Sequence, residues 1–171
     1  AKYADVLRLL QEALQEEGGA IVFCARQKTV EELARFLKEG GLDCGYFYGG
    51  MLPTDKRRVQ EAFLSGSLRV IAATNAFGMG VDKPDVRLVV HWRPPLSLEE
   101  YAQQAGRAGR DGKEAYALLL YTHGDWGFLR WMVGLGQRGT ERLEALAERL
   151  LARLPFRGYR KELLELLMTE G

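Results

Sequence analysis

Five short apolar runs divide this sequence, and between them lie longer stretches whose apolar residues recur with the period of a helix. The runs are AIVFC at 20–24, CGYFY at 44–48, LRVIAAT at 68–74, VRLVVHW at 86–92 and AYALLLY at 115–121. Brief runs rich in β-branched and aromatic residues fit strands buried on both faces. From 3 to 17, Val6, Leu9, Leu10, Ala13 and Leu14 form one helical stripe, stopped by Gly18 and Gly19. Thr29-Val30-Glu31-Glu32 has the S/T-x-x-E pattern of a capping box and predicts a helix ending at Gly40 and Gly41. Pro53 and Thr54 open a third helix reaching Phe63, and Ser97-Leu98-Glu99-Glu100 caps a fourth over 98–105. Strands separated by helices pair in parallel through right-handed crossovers, with helices on both faces. The pattern predicts a doubly wound α/β domain over residues 1–122.

The character of the chain changes after Tyr121. No strand-like run recurs, and Gly134, Gly136, Gly139 and Pro155 break 123–171 into two or three helices. A helical extension is expected there, with Trp126, Leu129, Met132 and Val133 as its packing face. Arg149, Arg153, Arg157, Arg160 and Lys161 follow one another without an acid between them. DNA, an acidic partner surface and a solvated helix face all remain open readings of that run.

Several function classes are excluded by what is missing. The net charge is +1, so any site for a polyanion has to be a local patch. The two cysteines, Cys24 and Cys44, and the two histidines, His91 and His123, show no metal-ligand spacing, and no zinc site is expected. The cysteines read as small core residues in a reduced, cytoplasmic setting. No apolar run approaches the ~20 residues that span a bilayer. The absence of a starting Met points to a fragment or a processed chain. There is no G-x-x-x-x-G-K-[ST] loop, no strand-terminal acidic pair for magnesium, no nucleophile elbow and no Ser/His/Asp set. Alone, this chain is not expected to hydrolyse a nucleotide.

In open parallel sheets, ligands bind beyond the carboxyl ends of the strands, and the unusual sequence is expected there. ARQK (25–28), GGMLPTDKRR (49–58) and TNAFGMGVDKPD (74–85) each follow a strand, while QQAGRAGRDG (103–112) joins the fourth helix to the fifth strand. Glycine-rich, basic loops of this kind point to a phosphate-rich partner. Two arginines in a glycine loop suit an NTPase part contributed from a neighbouring domain, where a finger arginine is worth roughly 10³–10⁵ in rate. Lys56-Arg57-Arg58 places cations at a helix start, against the macrodipole, which fits either a phosphate partner or a solvated face. His91 reads as a hydrogen-bonded structural residue.

ATNAFGMGVDKPDVRLVVH (73–91) and YAQQAGRAGRDG (101–112) resemble motifs V and VI of RecQ-type DNA helicases. IVFCARQKTVEELARFL (21–37) and FYGGM (47–51) resemble the flanking motifs, in order, so the resemblance covers about residues 1–130. It implies the second RecA-like lobe of an ATP-dependent 3′-to-5′ helicase. Arg110 corresponds to the arginine aimed at the γ-phosphate, Arg107 to its companion and Gln103 to the glutamine that opens motif VI. Asp82 corresponds to the acid that engages the ribose or braces the arginines. Gly78 and Gly80 correspond to glycines that permit close approach at the lobe interface. Arg26, Gln27, Gly50, Thr74 and Asn75 fall in loops that contact the DNA backbone, positioning the strand without reading its sequence.

The same resemblance implies ATP and Mg²⁺ held mainly by an upstream RecA-like lobe, with single-stranded and duplex DNA as partners and a cytoplasmic or nucleoid location. The chain departs from the family at Gln104, where Glu is usual, at Tyr48 and Gly49, where His-Ala is common, and at Arg26, where a small residue is usual. Tyr159 stands near the place of the first cysteine of the family's zinc domain, and the remaining zinc cysteines are absent. Two other readings stay open: a lobe of a DEAD- or DEAH-type RNA helicase, and a non-catalytic module that binds DNA or a protein.

Overall fold

The computed structural model describes residues 2–78, 81–95, 97–120 and 122. The expected extension over 123–171 and its basic run lie outside the described residues, as do Gly80 and Tyr121. The elements follow the order the sequence predicts, with a helix between consecutive strands everywhere but between β3 and β4: α1 (Lys2–Ala13), β1 (Gly19–Phe23), α2 (Gln27–Glu39), β2 (Cys44–Phe47), α3 (Pro53–Ser65), β3 (Val70–Ala73), β4 (Val86–His91), α4 (Leu98–Ala105) and β5 (Tyr116–Leu119). All strand pairs are parallel, and the sheet order is β2-β3-β1-β4-β5. The adjacent inner strands β1 and β3 are buried throughout. Among the described residues no helix is long and apolar enough to cross a membrane.

Alternation along the strands splits the core in two. On one face α1 and α2 bring Val6, Leu10, Val30, Leu33 and Leu37 against Val22, Val70 and Val90. On the other, Phe63 from α3 and Phe77 pack edge-to-face at 5.7 Å over Ile21, Ile71 and Val89. Burying an aromatic side chain of this kind contributes about 1.5–3 kcal/mol. Cys24 and Cys44 are buried in the first cluster, where burial pushes both thiols up to about 12 and keeps them protonated.

One capping box forms and the other does not. Ser97 Oγ accepts a hydrogen bond from the Glu100 N–H at 3.1 Å, so α4 starts as predicted. Thr29 lies inside α2, whose N-cap is Arg26, with no side-chain cap bond. Val30 must reach the core, where it is fully buried, so the helix starts a turn earlier than the Thr29 pattern implies. The acids of that pattern serve i,i+4 pairs instead: Gln27 with Glu31 at 3.3 Å and Lys28 with Glu32 at 3.8 Å.

A register shift in the β1–β4 ladder was not legible in the sequence. Gly19 pairs with Val86 and Ala20 pairs with Leu88, leaving Arg87 as an extra residue. The bulge puts Val86 and Val89 on one face and Leu88 and Val90 on the other. Arg87 is left free of the alternation.

Candidate functional site

The loops that looked alike in sequence occupy two different parts of the lobe. Residues 24–28, 48–52 and 74–78 stand at the carboxyl ends of β1, β2 and β3. The arginine turn after α4 does not: Gly109 N–H bonds Val86 O at 2.9 Å, and Asp111 N–H bonds Pro84 O at 3.1 Å. Val86 is the first residue of β4, so this turn sits towards the amino ends of the strands. A connection from helix to strand has to return there, which corrects the expectation that all the unusual loops share the carboxyl edge.

The turn is compact because α4 tightens as it ends. Gly106 N–H reaches Ala102 O at 2.9 Å, Arg107 N–H reaches Gln104 O at 3.2 Å, and Ala108 N–H reaches Ala105 O at 3.1 Å. Ala105 and Ala108 are the buried side and Gln103 is exposed. Arg107 and Arg110 line one recess with Phe63, Val81 and Lys83. Arg107 donates from Nη1 to Val81 O at 3.0 Å, while its buried Nε has no partner among the described residues. Its guanidinium lies on Gly78, where φ is +117° and a Cβ would overlap it. Burial, and secondarily the charge of Arg110, lower the Arg107 pKa against the opposing pull of Asp82. Arg110 pairs through Nη1 with Asp82 Oδ1 at 2.8 Å. Both side chains are open to water, 40% and 78% exposed, so the pair is screened and exchangeable.

Two buried polar groups stand on the segments that flank the turn. Lys83 is buried, with Nζ 2.9 Å from Asp85 and 5.4 Å from the Phe63 ring centre. Gln104, the departure from the family pattern, is buried, with Oε1 2.9 Å from His91 Nε2 and Nε2 donating to Glu100 at 3.2 Å. That amide ties α4 to the end of β4, and His91 is the hydrogen-bonded structural residue the sequence suggested.

His91 sets a pH dependence whose sign can be worked out. Burial lowers its pKa to about 4, opposed by the Gln104 hydrogen bond and the Leu118 backbone. Around the ring stand Phe23 of β1 and, on α4, Tyr101, Gln104 and Glu100. The unfolded chain takes up this proton near ~6.5. Between there and 4 the unfolded state binds more protons, so stability falls as pH drops through that window, by roughly 3 kcal/mol at most. We expect thermal midpoints to fall over that range and His91 ring signals to show no titration at pH 6. Normal His91 titration in the folded chain would contradict the assignment.

The carboxyl-edge group also assembles. Thr74 N–H bonds Phe47 O at 3.0 Å, and Cys24 N–H bonds Ala73 O at 2.8 Å, drawing the three loops together. Gly50 lies beside Gln27, whose Oε1 is 3.9 Å from where a Cβ would stand. Arg26, Gln27 and Asn75 are exposed and Thr74 is half-buried. Lys56 Nζ donates to Gly49 O, and Arg58 pairs with Asp55 at 2.9 Å, so two cations of the basic triplet have local work.

Residues 1–112 match the family described as helicase conserved C-terminal domain. The chain is 40% identical over 113 residues to the ATP-dependent helicase SGS1 of Saccharomyces cerevisiae, covering 66% of this chain and 8% of that protein. It is 41% identical over 120 residues to the probable ATP-dependent DNA helicase RecS of Bacillus subtilis, covering 70% and 24%. The chain thus spans less than a quarter of the length of either relative. Among solved structures, the E. coli DEAD-box protein SrmB bound to RraA superposes with a TM-score of 0.69 at 28% identity, covering 83% of this chain and 85% of that one. The Pyrococcus furiosus Hef helicase domain gives 0.62 at 25% identity, covering 76% and 28%.

Proposed function

The chain belongs to the helicase conserved C-terminal domain family and has the RecA-like fold of its structural neighbours, and from that premise we propose that it is the C-terminal motor lobe of a RecQ-type, ATP-dependent DNA helicase. The observation that carries the proposal is the arginine pair. Arg107 and Arg110 stand in one recess, where the charge of Arg110 adds to the cost of charging Arg107, and among the described residues the carboxylate bonded to Arg110 is the solvent-screened Asp82. A multiply charged anion relieves that repulsion better than one exposed carboxylate does. A transferring γ-phosphoryl group, arriving on a partner lobe, has the required charge.

In this reading ATP and Mg²⁺ are held mainly by an upstream lobe carrying the P-loop and the acidic residues this chain lacks. Arg110 meets the γ-phosphate, Arg107 supports it and Gln103 lies at the same interface. Asp82 releases Arg110 and engages the nucleotide. Gly78 and Gly80 allow the lobes to approach. Arg26, Gln27, Gly50, Thr74 and Asn75 follow the DNA backbone at the other edge of the lobe. The segment 74–85 runs from that edge to the arginine turn, a direct covalent route between strand contact and phosphate contact. DNA is favoured over RNA because the sequence relatives at about 40% identity are named as DNA helicases, whereas the DEAD-box neighbour stands at 28%. The 3′-to-5′ direction rests on the motif resemblance.

The division of labour gives a direct test. The 171-residue chain alone should show no ATP turnover, and joining it to a P-loop lobe should restore turnover that DNA stimulates. Turnover by the chain alone would refute the account.

A further inference from the structure

The arginine turn is gripped by the strand beside it, and the grip depends on the bulge in β4. Bulges are uncommon in parallel pairs and serve to re-aim a side chain. Arg87, the extra residue, turns both terminal guanidinium nitrogens on the segment around the turn, while its Nε donates to Asp85 O at 3.4 Å. Nη2 lies 2.5 and 2.6 Å from the two carboxylate oxygens of Asp111, and Nη1 donates to Glu114 O at 2.9 Å. The two side chains are 11% and 22% exposed, so the pair is partly shielded from water at the surface. Asp111 also accepts from the Lys113 N–H at 3.1 Å, which leaves its carboxylate little freedom.

Arg110 sits inside this grip. The residue before it bonds Val86 O through Gly109 N–H, and the residue after it bonds Pro84 O through Asp111 N–H. Its own side chain meets Asp82. Residues 82–87 therefore hold residues 109–111 by backbone and side-chain bonds, among them an ion pair in which one Arg87 nitrogen faces both Asp111 oxygens. We propose that Arg87 is a positioning residue which, through Asp111, fixes Arg110, so that the 82–87 segment and the arginine turn move as one body when the lobes close. The kinetic consequence rests on the motor-lobe reading, whereas the mechanical one does not.

Two measurements separate these. In the 171-residue chain, Asp111→Asn keeps every backbone partner and removes the carboxylate charge and one of its two acceptor oxygens, and Arg87→Met removes the pair and the bond to Glu114 O. We expect amide hydrogen exchange at Gly109 and Asp111 to quicken at least tenfold in both, while β1 and β3 stay protected. In the two-lobe protein, the same variants should lose roughly 10² in kcat, the order a 1 Å misplacement costs, with the KM for ATP unchanged. Arg87→Lys keeps the charge without the fork and should fall between. If Arg87→Met does not fold, Asp111→Asn carries the test. Unchanged exchange at Gly109 and Asp111 overturns the clamp, whatever the kinetics. Full kcat in Asp111→Asn, beside an Arg110→Ala protein that is inactive, overturns the positioning role and leaves the motor-lobe reading intact. An Arg110→Ala protein with parental turnover overturns the motor-lobe reading, and the exchange rates still decide the clamp.

Discussion

Replacing Arg110 by alanine should lower DNA-stimulated ATP turnover of the two-lobe protein by about 10³-fold or more, with folding stability almost unchanged. The two halves of that expectation come from the same geometry. Arg110 is 40% exposed and its partner Asp82 is 78% exposed. A surface pair of this kind contributes about 0–1 kcal/mol. Losing it should move a thermal midpoint by a few degrees at most. The rate loss has another origin: in the proposed motor-lobe role the guanidinium meets charge on the transferring phosphoryl group in the transition state. An interaction made mainly there lowers kcat and leaves KM nearly untouched. Lysine should restore only part of the rate, since an ammonium lacks the planar fork that matches phosphate oxygens. Steady-state kinetics with saturating DNA, beside melting curves of parent and variant, measure both halves. Parental turnover in Arg110→Ala would favour the non-catalytic module, which has no use for an arginine pair.

Much of the fold could be read from periodicity because the strands are short, apolar and central. AIVFC and LRVIAAT had to be buried on both faces, and β1 and β3 are. What could not be read lies where tertiary contact overrides local pattern. The Thr29 capping box lost to the need to bury Val30 a turn sooner. The β4 bulge has no signature in VRLVVH, since only the partner strand defines which residue is extra. For that reason Arg87 went unnoticed, though it belongs to the same stretch as Asp82. Lys83 is buried, where Asp85 and the Phe63 ring offer it an ionic and an aromatic partner that no local pattern announces. The arginine turn stands out in the sequence, but the edge of the sheet it occupies does not follow from its motif. Motif composition carries the chemistry of Arg107 and Arg110, but the direction of the α4–β5 connection decides where they stand.

Gly78→Ala should damage the same site by a different route, and a double-mutant cycle can resolve it. At φ +117° an alanine is strained before any neighbour is considered, at a cost of about 1–3 kcal/mol. Its Cβ would also overlap the Arg107 guanidinium. That group cannot yield freely, because Nη1 is bonded to Val81 O and Nε is buried. Expelling it would break a charged hydrogen bond worth roughly 1.5–3 kcal/mol and carry the cation away from Arg110. Turnover should then fall by about 10², while Arg107→Met alone removes the cation directly. In the Arg107→Met background the collision has no partner, and only the backbone strain remains. Gly78→Ala should therefore cost less stability in that background than in the parent, and the two turnover losses should not multiply. Equal costs in both backgrounds would mean that Gly78 matters for its φ alone. Unequal costs would assign it the second duty of leaving room for the arginine that supports Arg110.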